Sequence, residues 1–482
     1  MTDRRLHRLG AWLDDRLGIR QAYLGLAGHL VPRDTDSWLY ALGSAALLCF
    51  AVQLTTGMSL LLVYVPSAAE AWQSLDQLDH VVPLGWYVRA LHYWGSNFMV
   101  ALVLLHMTQV FLFGAFKFPR ELTWVTGCVL LVCTLAMAFS GQILRFDQDA
   151  YWGLGIVASI AGRTPWLGPE VVHVLLGGPI IGAAALSRFF TLHVFVVPGL
   201  ILACVTLHLR LVLRHGINEW PEAGRPVRRE DYRARYQKLV EERGISFARG
   251  PFRRDLFVGG LVLLAIAACA ALLGPKIPNG PPDPRLIDTT PRPDFFFLPL
   301  FATFALLPPY METLLLLAAP ALAIALLFAV PFLWPTGEKS PRRRPLSLVG
   351  VGILALAFAV LARLGETAPW SPRMQAWSSA PVPVAMLKGR SPLELQGAST
   401  FQVKQCRNCH ALDGIGGQRG PDLSDAGARL SHDQLVRQVL QGGGNMPAYG
   451  KNLEPDEVRA LVAFLETLGP RPDADDPLSS RR

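Results

Sequence analysis

The sequence predicts an all-α membrane protein of about seven transmembrane helices followed by a small all-α domain. Three observations carry that expectation. The 482 residues are 51% hydrophobic and only 17% charged, with positive mean hydropathy, a balance too apolar for a soluble enzyme of this length. Several apolar stretches reach the roughly 20 residues that a helix needs to cross about 30 Å of hydrocarbon. Polar, Pro-rich or Arg-rich loops separate them.

The expected spans are 38–65, 86–114, 123–143, 188–213, 255–274, 311–334 and 346–364. Residues 1–35 carry Arg4, Arg5, Arg8, Arg16 and Arg20 but no apolar run, so no cleavable signal peptide is expected and the N-terminus should stay cytoplasmic. From Arg210 to Arg254 there are twelve Lys and Arg residues, and Lys339, Arg342, Arg343 and Arg344 fill the 335–345 loop. Both loops belong inside by the excess of positive charge. The 66–85 loop has no Lys or Arg. Seven crossings then place everything after about residue 365 outside, in a multi-pass protein of the bacterial inner membrane.

The net charge of +8 does not call for nucleic acid, because topology and anionic lipid account for basic residues gathered in cytoplasmic loops. Cys49, Cys128, Cys133, Cys204 and Cys269 are scattered through the spans, where cysteine behaves as a small apolar residue.

The remaining pair, Cys406 and Cys409, precedes His410 in the string CRNCH. This pattern reads as covalent c-type haem attachment: two thiols bond the two vinyl groups, and the adjacent histidine becomes an iron ligand. Met446, in GGGNMPAYG, is the expected sixth ligand, and a Met/His pair raises the potential of haem iron. The alternatives are a zinc or thiol-redox CxxC, and a methionine that merely packs.

Histidine inside a membrane is costly enough to need an explanation, although a hydrogen-bonded structural role serves for any single one. Four occur in two pairs. His92 and His106 are 14 residues apart on the second span, and His193 and His208 are 15 apart on the fourth. At 3.6 residues per turn each pair faces roughly one way, about 21 to 22 Å apart along the axis. His92 and His193 should share an outer level, and His106 and His208 an inner one, each offering bis-histidine ligation to a noncovalent haem b. Gly43 and Gly57 on the first span, and Gly127 and Gly141 on the third, are again 14 apart. They give a porphyrin edge close approach to the backbone; ordinary small-residue helix packing is the alternative.

At these residues a family resemblance becomes plain. GWYVRALHYWGSNF, FKFPRELTWVTG, FDQDAYWG and SRFFTLHVFVVP resemble cytochrome b of quinol-oxidising bc-type complexes, with the 14/15 spacing nearer the bf-type branch. Residues 25–365 resemble bf-type cytochrome b and its subunit IV joined in one chain, followed by a cytochrome c graft. The divisions this implies are a cytoplasmic N-terminal segment (1–37), a four-helix di-haem domain (38–214), a basic cytoplasmic loop (215–254) and a three-helix subunit IV-like domain (255–365). A linker (366–395), a cytochrome c domain (396–469) and a disordered tail (470–482) follow. The resemblance implies that Arg89 and Arg188 neutralise haem propionates; snorkelling or topology is the alternative.

PDFFFLPL resembles the family's Pro-Glu-Trp-Tyr segment beside the outer quinol-oxidation site, with Asp294 in place of the glutamate. A carboxylate there is implied to accept a quinol proton; a helix-start acid in a Pro-rich loop is the alternative. GQILRFDQ departs from the family, which has Pro-Trp where this chain has Arg145-Phe146. The cysteine that tethers an additional haem in bf-type complexes is replaced by Ala41, so no thioether-bound third haem is expected.

The mechanism implied is bifurcated quinol oxidation, one electron passing to a Rieske iron–sulfur protein and the other through two b haems to an inner quinone, coupled to proton translocation. No Rieske ligand pattern is present in the sequence, so the cluster is expected on a separate partner. The remaining partners implied are membrane quinone, a downstream cytochrome c or oxidase, and a second copy in a homodimer. The competing reading is a di-haem membrane anchor relaying electrons between quinone and a dehydrogenase or hydrogenase, which needs fewer spans and no Asp294-type site. An electron wire or haem sensor without quinone turnover is a third.

Overall fold

The computed structural model describes residues 11–469 apart from 13, 17, 19–24, 26–27, 179–180, 283–291, 308, 368–380, 418–419, 443–445, 447–448 and 450–452. The expected tail and residues 368–380 of the expected linker lie outside the described residues. Among the described residues seven helices are long and apolar enough to cross a membrane: Trp38–Leu61, Gly85–Leu112, Glu121–Leu144, Ala183–His215, Pro251–Leu273, Thr313–Leu333 and Pro345–Glu366. Each coincides with an expected span, and they are called the first to seventh spans below. The all-α, seven-helix class holds; the described residues also include two short two-stranded sheets, Leu30–Pro32 on Gly244–Ser246 and Ala411–Leu412 on Ile415–Gly416.

Shorter helices join the spans. Ala71–His80 lies between the first and second; Gln148–Gly162 and Gly168–Leu176 lie between the third and fourth; Tyr232–Arg243 lies in the basic loop. Asp147 starts Gln148–Gly162 as its N-cap, accepting from the Ala150 N–H at 2.8 Å. The fourth span is interrupted at Leu192–Val196 by a π-helical turn. Pro198 follows two residues later and has no N–H to donate back along the helix, a recognised cause of such a break.

By contacts the chain divides into two compact units. The first comprises residues 1–141, 190–277 and 324–355. Its core joins the first five spans through Ala45, Cys49, Phe50, Met99, Leu102, Cys133, Ile201 and Ile266. Trp94 fixes the second span to the end of the fifth by donating from Nε1 to the Gly274 carbonyl at 2.8 Å. A polar clasp gathers the basic loops. Lys117 Nζ donates to the carbonyls of Trp334 and Thr336 at 2.9 and 2.6 Å. Lys339, 3% exposed, reaches Asn218 and Glu219, and the Tyr232 hydroxyl bridges Arg120 and Glu219 at 2.6 and 2.7 Å. Charges this deeply buried are tolerable only when paired and hydrogen-bonded, and here they fasten 336–339 onto 117–120 and 216–236.

The second unit comprises residues 142–189, 278–323 and 356–482. It includes a small helical globule in which Pro392–Val403 packs on Pro455–Glu466 around Phe401, Phe464, Leu412, Leu435, Val439, Leu461 and Leu468. Gly397 permits the crossing, because a Cβ there would stand 1.9 Å from the Ala460 carbonyl oxygen. Ser391 and Ser431 begin Pro392–Val403 and His432–Gln441 with reciprocal capping boxes.

Candidate functional site: two histidine levels in the helix bundle

The second and fourth spans carry the four intramembrane histidines, and the structure pairs them by depth. The rings of His92 and His193 lie 6.3 Å apart, centroid to centroid, at 73°. A metal–imidazole bond is roughly 2.0–2.1 Å. Two such bonds in line put the ring nitrogens about 4 Å apart, and the ring centres roughly 2 Å further apart in total. The observed separation matches that arithmetic.

The glycines lie at the corresponding depths. A Cβ at Gly57 would be 3.3 Å from His92 Cε1, and one at Gly141 would be 2.8 Å from His193 Cε1. At the other level a Cβ at Gly43 would be 3.0 Å from His106 Cε1, and one at Gly127 would be 3.6 Å from His208 Cε1. The first span therefore backs the second at both histidines, and the third backs the fourth. The π turn accounts for the unequal spacing: His193 lies within it, and a π turn admits one residue more than an α turn. Fifteen residues on the fourth span thereby match fourteen on the second.

Three hydroxyls orient three of the rings. Thr56 Oγ1 is 2.9 Å from His92 Nδ1, Thr126 Oγ1 is 2.9 Å from His208 Nδ1, and Ser140 Oγ is 2.9 Å from His193 Nδ1. Each hydroxyl also donates back to its own helix: to Val52 at 2.6 Å, to Leu122 at 3.0 Å and to Ala136 at 2.7 Å. A hydroxyl has one proton to give. With that proton on the carbonyl, the oxygen accepts from Nδ1–H, and the free lone pair of the imidazole falls on Nε2. That tautomer leaves Nε2 available to bind a metal. Histidine spacing does not reveal these hydroxyls, yet a signal exists: each immediately precedes a glycine of the set, as Thr56-Gly57, Thr126-Gly127 and Ser140-Gly141. Gly43 follows Leu42 instead. These residues fit a bis-histidine metal centre at two depths.

Arg89 is buried and engaged by protein. Its Nε donates to Asp79 Oδ1 at 2.6 Å, a second nitrogen reaches Asp79 Oδ2, and Nη1 donates to the Lys276 carbonyl at 3.0 Å. Asp79, on Ala71–His80, is a partner that the sequence does not suggest. Arg188 donates to the carbonyls of His173, at 3.0 Å, and Val174, closing the end of Gly168–Leu176.

Asp294 is partly buried at the turn before Leu298–Leu306, its carbonyl accepting from the Phe297 N–H at 2.9 Å. Phe295, Phe296 and Phe297 pack edge-on behind it, with centroids 5.1 and 4.9 Å apart.

In the C-terminal globule the Cys406 carbonyl accepts from the N–H groups of Cys409 and His410 at 3.2 and 3.0 Å. His410, 8% exposed, has Nδ1 2.9 Å from the Pro421 carbonyl. Burial lowers its pKa below the ordinary histidine value. Met446 Sδ accepts from Gln438 Nε2 at 3.6 Å.

Three family models match the chain. Residues 27–216 match "Cytochrome b/b6/petB" and residues 284–381 match "Cytochrome b(C-terminal)/b6/petD". Residues 393–465 match "Cytochrome C oxidase, cbb3-type, subunit III". A cytochrome b6 of Synechococcus sp. (strain JA-3-3Ab) is 38% identical over 207 residues, covering 43% of this chain and 96% of the relative. A cytochrome b6 of Prochlorothrix hollandica is 37% identical over 207 residues, with coverages of 43% and 93%. Among solved structures, a chain of "Hyperthermophilic respiratory Complex III" superposes with a TM-score of 0.65 at 28% identity, covering 75% of this chain and 92% of that one.

The third match corrects two expectations. The segment behind the last span is assigned to the cbb3-type oxidase subunit III family in place of the expected cytochrome c domain. The covalent haem c expected on Cys406 and Cys409 is withdrawn with it, and no iron-ligand role is carried forward for His410 or Met446. A five-residue string and one downstream methionine are local signals, whereas the family match weighs the sequence of all of 393–465.

Proposed function

The chain belongs to the cytochrome b/b6 family, and from that premise we propose that it is the quinol-oxidising, two-haem subunit of a bc-type complex coupled to proton translocation. The coarser role, a membrane-embedded oxidoreductase subunit of a bacterial electron-transport complex, follows from the cytochrome b matches, the Complex III likeness and the seven apolar helices.

The observation that carries the finer reading is the 6.3 Å separation of His92 and His193, with Gly57 and Gly141 behind them and hydroxyls leaving both Nε2 lone pairs available. His92 and His193 would hold one haem b, and His106 and His208 the other. When bound, these groups would supply one-electron carriers at two depths. Thr56, Thr126 and Ser140 fix tautomer and ring orientation. Gly43, Gly57, Gly127 and Gly141 keep the first and third spans close enough to seat the rings. Arg89 and Arg188 remain candidates for propionate contact, Arg89 sharing its charge with Asp79.

Asp294 is proposed as the group that takes a proton from quinol at the outer face, an aspartate with one methylene less than the glutamate that the family resemblance implies at this position. Two-electron oxidation next to one-electron carriers needs a second acceptor. A Rieske iron–sulfur protein on a separate chain is proposed for it, with a downstream cytochrome c or oxidase beyond and a homodimer as the assembled state.

The test is to purify the chain with its partners, count b haems by pyridine haemochrome and assay quinol-to-cytochrome electron transfer. Two b haems with quinol oxidation support the proposal. Two b haems that pass electrons only from a dehydrogenase or hydrogenase partner would favour the membrane-anchor reading.

A further inference from the structure

The turn between the third span and Gln148–Gly162 holds a cation two of whose nitrogens find no hydrogen-bond partner among the described residues. The Arg145 side chain is 12% exposed, and its Nε and Nη2 are buried with no hydrogen-bond partner among the described residues. The neighbouring acid, Asp147, is fully buried, and its Oδ2 lies 3.6 Å from Arg145 Nε, beyond hydrogen-bonding reach. Asp147 is committed elsewhere. Oδ1 caps the helix through the Ala150 N–H at 2.8 Å, and Oδ2 accepts from the Asn279 N–H at 3.3 Å. The carboxylate balances the charge of Arg145 without using its donors.

Leaving buried donors unmade is expensive, and each such group in a native structure calls for an explanation. The surrounding turn is held firmly. Phe146, 4% exposed, sits at φ 43°, a left-handed conformation costly for an aromatic residue and found preferentially at functional sites. The Gln148 N–H adds a 3.1 Å bond to the Gly280 carbonyl. Together with the Asp147 contact this ties the turn to 279–280, in the same compact unit as Asp294. The guanidinium is therefore fixed, buried and short of oxygen acceptors.

We propose that Arg145 binds a ring oxygen of the quinol or quinone substrate through Nε and Nη2. The inference rests on the quinol-oxidising reading above and adds to it a specific recognition residue. A guanidinium presents paired donors in a planar fork, which the Pro-Trp pair of the resembled family cannot supply. An arginine fork binds an anionic oxygen more strongly than a neutral carbonyl. Its signature is thus a preference for quinones that carry an ionised ring hydroxyl.

The experiment uses the assembled complex and two probes: a naphthoquinone and its hydroxy derivative, whose hydroxyl is ionised at neutral pH. Direct binding is titrated for wild type, Arg145→Gln and Arg145→Lys, with the b-type absorbance as a control for folding. The expected result is that wild type prefers the hydroxyquinone and that Arg145→Gln weakens its binding by about tenfold to a hundredfold. Arg145→Lys, a charge without the fork, should fall between them. If Arg145→Gln does not assemble, Arg145→Lys alone decides: wild-type affinity for both probes in that variant overturns the proposal. Equal binding of both probes by wild type and Arg145→Gln also overturns it, while the quinol-oxidising reading stands. A wild-type complex that neither binds quinone nor oxidises quinol overturns that reading itself.

Discussion

Ser140 accepts a hydrogen bond from His193 Nδ1 at 2.9 Å while donating its own proton to the Ala136 carbonyl, so one hydroxyl sets the tautomer of a half-buried imidazole from the facing helix. Ser140→Ala removes that acceptor and leaves the ring only its bond to the Met137 backbone. Loss of such an orienting partner typically costs about 10–100-fold in metal affinity. Haem retention by the His92/His193 level should fall by that order in a haem-transfer assay to apomyoglobin, and Ser140→Thr should restore it. Unchanged retention in the alanine variant would mean that the hydroxyl only packs.

Replacing a histidine should empty one level and spare the other. His92→Leu or His193→Leu should halve the b haem content, and the same should hold for His106→Leu or His208→Leu, with a different component of the potentiometric titration lost in each pair. Both components surviving in any of the four variants contradicts the ligand assignment.

The four glycines make a graded series, because a Cβ approaches His193 to 2.8 Å at Gly141, His106 to 3.0 Å at Gly43, His92 to 3.3 Å at Gly57 and His208 to 3.6 Å at Gly127. Overpacking costs about 1–3 kcal/mol where neighbours cannot yield. Thermal melts of the alanine variants should rank in that order, with Gly141→Ala least stable and Gly127→Ala near wild type. A Gly127→Ala protein as damaged as Gly141→Ala would show that something other than ring contact selects glycine.

The clasp at Glu219 predicts a stability that depends on pH. Burial alone would raise the Glu219 pKa, but Lys339 and Arg120 outweigh it and hold the carboxyl below the ordinary glutamate value. A carboxyl with a depressed folded pKa stabilises the fold above the unfolded value of about 4.3, and that contribution disappears as pH falls through the folded value. Glu219→Gln should abolish this acid dependence. It should also cost about 3–5 kcal/mol near neutral pH, since Lys339 and Arg120 would remain buried without their anion. Adding Lys339→Met should recover part of the loss in the same denaturation assay.

Asp294→Asn should keep the b haems and slow quinol oxidation by about 10²–10⁴-fold, the range that a positioned base contributes. Asp294→Glu should retain more activity. An asparagine variant with wild-type turnover and an unchanged pH–rate profile would assign proton release to another group.

Much of this protein is legible in one dimension. Lipid supplies no hydrogen bonds, so an unbroken apolar run crosses as a helix that satisfies its own backbone; an expectation of 86–114 meets Gly85–Leu112, and one of 346–364 meets Pro345–Glu366. The fourth span begins at Ala183 rather than near 188, because Ala183–Thr191 carries Ser187 and Arg188 and hydropathy falls before the helix does. The histidine and glycine spacings are likewise visible, since a rigid 1.5 Å rise per residue converts sequence distance into depth. The C-terminal segment shows the limit of such reading, where CRNCH and Met446 led to a domain assignment that the match over 393–465 replaced.

What sequence alone determines here is thus the number of spans, the depth of the histidines and the positions of the facing glycines, all consequences of helix periodicity in an apolar solvent. Tertiary structure decides which groups meet across helices: Ser140 with His193, Asp79 with Arg89, Glu219 with Lys339, and the absence of any acceptor for two nitrogens of Arg145 among the described residues. A hydrogen bond between residues tens or hundreds of positions apart depends on distances of a few ångströms and on side-chain rotamers. Local propensity and periodicity carry no record of those until the helices have packed.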